Sequence, residues 1–116
     1  MYSGKRNKSI YDIYLGHMKD GLRHGPGTLV FPNGTMYEGL WHNNKAHGRG
    51  QLWDGVSGGV YEGEWKDDQA NGFGIYMGGD KVNYEGTWKN DLQDGWGIET
   101  WLDNSKYEGE YKKGMK

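Results

Sequence analysis

The chain has 116 residues, with 22 glycines, nine tyrosines and six tryptophans against a hydrophobic fraction of 34% and a net charge of −2. That aromatic content excludes an ordinary disordered glycine-rich chain, and two prolines without a three-residue glycine period exclude collagen. With no cysteine and no apolar run near the ~20 residues of a membrane-spanning helix, thiolate zinc sites, disulfide-stapled domains and helical membrane anchors are excluded, and a reducing, cytoplasmic location is expected.

The first residues, Met1 to Ser9, are polar and basic and lack the apolar stretch of a signal peptide. Residues 1–13 are expected to form a lead-in strand or partial repeat, and the end clusters Lys5, Arg6, Lys8 and Lys112, Lys113, Lys116 to be solvated chain ends. From Tyr14 onward a repeat takes over. Tyr-x-Gly begins at Tyr14, Tyr37, Tyr61, Tyr84 and Tyr107, in steps of 23, 24, 23 and 23 residues. Eleven residues after each of the first four tyrosines comes Gly-x-Gly, at Gly25/Gly27, Gly48/Gly50, Gly72/Gly74 and Gly95/Gly97. That spacing never varies, so the single extra residue of the second repeat belongs in a loop near Gly55 to Val60. The units are 14–36, 37–60, 61–83, 84–106 and a partial 107–116.

Within a unit, Tyr61-Glu62-Gly63-Glu64-Trp65 reads as a strand. Alternation puts Tyr61, Gly63 and Trp65 on one face and the glutamates on the other. The same pattern recurs with Gly39 and Trp41, and with Gly86 and Trp88. A glycine between two large rings leaves room for a ring to lie over the backbone. The polar segment Lys66 to Asn71 reads as a turn. Gly72 and Gly74 then open a second strand in which Phe73, Ile75 and Met77 alternate with them, and Gly78 to Lys81 turns the chain toward Tyr84. No helical period occurs anywhere. The predicted fold is all-β: an elongated, single-layer antiparallel meander of tandem hairpins, curved into a ribbon with a groove. Two strands per unit at ~4.8 Å give a length on the order of 45 Å. The second strands show no common apolar face, because positions 15 and 17 after the tyrosines hold Leu29/Phe31, Leu52/Asp54, Tyr76/Gly78 and Glu99/Trp101.

Tyr-Glu-Gly-x-Trp followed by Gly-x-Gly resembles the MORN-repeat family (membrane occupation and recognition nexus), over Tyr14 to Lys116. The first unit departs from the pattern, with Leu15 for the glutamate and Met18 for the tryptophan, as terminal repeats do. The last unit stops where its Gly-x-Gly would follow, so a piece of a longer protein is expected. The resemblance implies a role as an adaptor module of cytoskeletal, ciliary or junctional proteins, a peripheral membrane binder, or an appendage of an enzyme such as a lipid kinase.

The residues themselves offer little catalysis. His24 and His47 occupy a slot that also takes Asn71 and Asp94, so a short polar group bonding to a turn is the expected role, rather than a metal site with His17 and His42. No serine or cysteine is set beside them as a nucleophile. The ladder Glu38, Glu62, Glu85, Glu108 is expected to be structural, accepting backbone bonds or pairing with Lys66, Lys89 and Lys112. Gly-x-Gly here precedes no helix, so nucleotide binding is not expected, and the acidic balance argues against nucleic acid. No cofactor and no enzyme activity are expected. The expected function is a scaffold that holds a protein partner, extended or helical, along an aromatic groove. The contact candidates are the aromatics outside the register: Phe31, Trp53, Phe73, Tyr76, Trp96 and Trp101. Anionic phospholipid is the alternative partner, and open sheet edges allow an end-to-end homodimer.

Overall fold

A computed structural model describes residues 12–80 and 82–116. The basic N-terminal cluster, nearly all of the lead-in, and Lys81 lie outside the described residues. Among the described residues nine strands form one antiparallel sheet in strict chain order. They are β1 (Ile13–Lys19), β2 (Leu22–Val30), β3 (Met36–His42), β4 (Lys45–Trp53), β5 (Val60–Lys66), β6 (Gln69–Met77), β7 (Asn83–Lys89), β8 (Leu92–Thr100) and β9 (Lys106–Tyr111). The long axis measures 43 Å, close to the length expected from strand spacing, and the depth of 17 Å exceeds that of a flat single layer. The ribbon is therefore curved.

The turns inside each hairpin are tighter than the sequence suggests. Lys66 to Asn71 is not a six-residue turn; Lys66 ends β5, Gln69 opens β6, and only Asp67-Asp68 reverses the chain. Both residues have positive φ, 48° and 72°, as do Asn43-Asn44 and Asn90-Asp91. This is the mirror-image turn whose twist matches paired strands, and Asn and Asp tolerate it best after glycine. The longer connections run over residues 31–35, 54–59, 78–82 and 101–105. The second is longer by one residue, so the loop absorbs the insertion.

Each hairpin carries a bulge. Gly39 pairs with Gly50 and Trp41 with Ala46, which leaves Leu40 facing His47, Gly48 and Arg49. Gly48 sits in that bulge with φ 99°, a conformation that costs other residues dearly. The pairing between hairpins has no such shift: Gly48 meets Trp65 and Trp53 meets Val60 in unbroken register.

The alternation within the first strands is as expected, with Tyr61, Gly63 and Trp65 buried and Glu62 and Glu64 exposed. The core lies on this one face: Leu29, Tyr37, Trp41, Ala46, Tyr61, Trp65 and Ala70 form a single cluster. Tyr84 is only 2% exposed although the sheet is one layer deep. Trp88 and Tyr111 close over its ring from either side, and it lies over Gly97, so this ring-bearing side is the inner face.

Candidate functional site

The ring face is built by contacts between hairpins. Each of the register tryptophans Trp41, Trp65 and Trp88 stands edge-on between the tyrosine of its own unit and that of the preceding one. Trp65 meets Tyr61 and Tyr37 at 5.2 Å each, with interplanar angles of 89° and 86°. Trp88 does the same with Tyr84 and Tyr61, and Trp41 with Tyr37 and Tyr14. Tyr111 takes the tryptophan's place between Tyr84 and Tyr107. T-shaped pairs of this kind add about 0.5–1.5 kcal/mol each beyond burial. The indole N–H groups of Trp41, Trp65 and Trp88 donate to the carbonyls of Gly27, Gly50 and Gly74 in the preceding hairpins. Tyr111 has no such N–H; its hydroxyl donates to the Glu99 carboxylate at 2.9 Å, and Lys116 lies 3.4 Å from the same group.

The tyrosine hydroxyls have one repeated job. In all five units the hydroxyl donates to the carbonyl three residues on: Tyr14 to His17, Tyr37 to Leu40, Tyr61 to Glu64, Tyr84 to Thr87 and Tyr107 to Glu110. In the first four units that carbonyl belongs to the residue facing the bulge, where the ladder is broken. Burial drives the Tyr37, Tyr84 and Tyr111 hydroxyls above the ordinary tyrosine range, helped by Asp68, Asp94 and Glu99 respectively. Burial, with Glu64 second, pushes Tyr61 up to about 12.

The irregular second strands do share a face. The residue 15 positions after each tyrosine lies between two register tyrosines: Leu29 between Tyr14 and Tyr37, Leu52 between Tyr37 and Tyr61, Tyr76 between Tyr61 and Tyr84, Glu99 between Tyr84 and Tyr107. Periodicity hides this because the slot holds Leu, Tyr or Glu.

A second link between hairpins also escapes sequence reasoning. The second turn residue of one hairpin reaches the preceding hairpin nine positions after its tyrosine. Asp68 N–H donates to the Ala46 carbonyl at 2.9 Å, and the Ala46 N–H donates to Asp68 Oδ1 at 2.8 Å. Asp91 and Ala70 repeat the pair. Asn44 accepts from the Arg23 side chain, whose guanidinium stacks 4.5 Å from the Trp41 ring.

His24 bonds to a turn as expected, whereas His47 Nδ1 makes no hydrogen bond among the described residues. His24 Nδ1 accepts from the Asn43 N–H at 3.3 Å, Asp94 accepts from the Lys113 N–H, and His47 Nδ1 lies 3.6 Å from Asp67. The structure brings the rings of His24, His42 and His47 into a row, with centroids 4.8 and 5.6 Å apart. Among the described residues no cluster of His, Asp or Glu is placed to hold a metal. The glutamate ladder is exposed, and among the described residues it makes neither the backbone bonds nor the lysine pairs expected of it.

The six contact candidates do not line one groove. Phe31 and Tyr76 pack against the ring cluster on the inner face. Trp53 lies on the outer face between Met36 and Val60. Phe73 and Trp96 are exposed on that outer face, two strands apart. Trp101 begins the last long loop, 5.3 Å from the Lys116 ammonium.

The repeat geometry has a counterpart in known proteins. The MORN-repeat family model matches residues 14–36, 37–55, 61–81, 84–106 and 107–116, most of the chain. The chain belongs to the MORN-repeat family. This MORN array is similar to phosphatidylinositol 4-phosphate 5-kinase 1 of Oryza sativa subsp. japonica, 39% identical over 41 residues, which is 35% of the array and 5% of the kinase. It is similar to alsin of Homo sapiens and of Mus musculus, 39% identical over 44 residues, which is 38% of the array and 3% of alsin. The array thus spans a small fraction of the relatives it matches. Among the described residues no helix is long and apolar enough to cross a membrane.

Proposed function

We propose that this MORN array is a non-catalytic interaction module that holds a segment of a protein partner. One observation carries the reading: the register aromatics are consumed in packing hairpin on hairpin, while among the described residues the opposite face keeps large apolar side chains about half exposed. Exposed apolar patches on a rigid β scaffold are interaction surfaces. The matches to the kinase and to alsin cover short stretches of far longer proteins, which fits a module carried beside other domains.

A second reading has a specific observation behind it. One relative by name acts on an inositol phospholipid, which favours a lipid surface as ligand. Charge opposes it: from Thr35 onward nine basic residues stand against fourteen acidic ones, and anionic membranes attract the reverse balance. Co-sedimentation with vesicles containing phosphatidylinositol 4-phosphate is expected to leave the array in the supernatant at low and high salt. Affinity capture with cross-linking mass spectrometry is expected to join a captured polypeptide to the array. Pelleting with vesicles and no cross-linked polypeptide would overturn the protein-partner reading.

A further inference from the structure

We infer that the outer face of β5 to β9 is a docking site for a basic amphipathic α-helix; this rests on the interaction-module reading and names its partner chemistry. Phe73, Ile75 and Met77 on β6 are 45%, 43% and 49% exposed, and Trp96 on β8 is 56% exposed. With Ile98 they make two apolar lines on one face, separated by β7. Among the described residues none of them joins the ring cluster that holds the sheet together, which lies on the other side.

Alongside these lines the charged residues are acids, while Lys66, Lys89 and Lys106 on the same face stand beyond them at the strand ends. Glu62 and Glu64 on β5 stand outside the β6 line, and Glu108 and Glu110 on β9 stand outside the β8 line. All four are exposed. Glu85 on β7 sits between Ile75 and Ile98, so one carboxylate lies within the apolar strip. Among the described residues, none of the five has a lysine, arginine or histidine within ion-pairing distance. An apolar strip edged by unpaired carboxylates on both sides is complementary to a helix with an apolar stripe and lysine or arginine on both flanks.

The dimensions agree. From β6 to β8 is about 10 Å, the diameter of a helix with its side chains, so basic flanks overhang β5 and β9. Phe73 to Met77 covers about 14 Å of strand, matched by roughly nine helical residues, or apolar positions i, i+3 and i+7. Glu85 selects a partner with a cation near the middle of that stripe and rejects an acidic one. It also repels an anionic bilayer.

The test uses the full chain and a fluorescein-labelled helical peptide of about 14 residues, with leucines at i, i+3, i+7 and i+11, a lysine at i+4 to meet Glu85 and lysines on both flanks, followed by anisotropy. Saturable binding is expected. It should weaken at least tenfold in Phe73→Ser/Trp96→Ser, whose unfolding midpoint should stay near wild type because both side chains are exposed. Glu108→Gln/Glu110→Gln should weaken it severalfold at low salt and little at high salt. A peptide with glutamate in place of every lysine should not bind. Binding unchanged in Phe73→Ser/Trp96→Ser, equal binding of the acidic peptide, or vesicle pelleting abolished by the same variant would each overturn the assignment. If no peptide binds while a cross-linked polypeptide is still captured, this site is refuted and the interaction-module reading survives.

Discussion

The Tyr37 hydroxyl lies over Gly50, close enough that a Cβ on that residue would collide with it, while it donates to the Leu40 carbonyl at 3.0 Å. Two repeat residues are therefore one device. The bulge opens the ladder, the hydroxyl caps the carbonyl left there, and the glycine on the partner strand leaves room for the phenol. Gly50→Ala should destabilise the array by about 1–3 kcal/mol, the cost of overpacking. Tyr37→Ala should cost less in the Gly50→Ala background than in wild type. Urea denaturation of the four proteins measures the coupling, and strict additivity would refute the device.

The ring ladder makes a stronger claim. Tyr61→Ala or Trp65→Ala removes a ring that touches two hairpins, and each is expected to cost about 3–5 kcal/mol. Since each hairpin relies on its neighbours, unfolding should spread along the array and not stay local. Chemical denaturation followed by tryptophan fluorescence measures the loss; a change below ~1 kcal/mol contradicts it.

Asp68 joins a turn to the preceding hairpin through both its N–H and its carboxylate. Asp68→Ala loses the side-chain bond and puts a Cβ-bearing residue with no compensating polar group at φ 72°. The expected loss is about 1–3 kcal/mol. Asp68→Gly should cost less, because glycine accepts that φ, and Asp68→Asn least, because the amide oxygen still accepts the Ala46 N–H. The order Ala, Gly, Asn in denaturation midpoints is the signature of this double role.

The tyrosines predict an alkaline limit. Tyr61 is raised from an ordinary 10.0 to about 12, first by burial and then by Glu64. A raised folded-state value means the folded chain holds its proton more tightly than the unfolded chain. The stability this contributes is complete below about pH 10 and is lost as pH climbs toward 12. Unfolding midpoints should be flat near neutrality and fall through that window, and absorbance at 295 nm should show register tyrosines ionising late. Tyr61→Phe should blunt the fall.

Some of this was legible in the residues alone. Tyr-x-Gly and Gly-x-Gly recur in fixed register, so hairpin periodicity, the all-β fold and the shared face of Tyr61, Gly63 and Trp65 follow from alternation. The extra residue near Gly55 belonged in a loop because only a loop absorbs one without flipping faces. The shortness of the turn over Asp67-Asp68 is not legible because polar residues look alike in a loop and in a strand; φ > 0 at two adjacent residues is what shortens it. His24 is legible as a turn partner because Asn71 and Asp94 share its slot, but His47 in the same slot makes no such bond.

What the chain determined by itself is local: which residues can pair, which face each strand buries, where glycine has to stand. What only the tertiary structure decided is which hairpin each side chain reaches. The edge-on packing of Trp65 on Tyr37, the Asp68 link to Ala46, and the placing of Phe73 and Trp96 on one outer strip all join residues far apart in the chain and on different hairpins, and alternation within a strand does not encode them. They arise because a single-layer sheet has one side to bury. Once the rings occupy that side, everything pointing the other way is left for a partner.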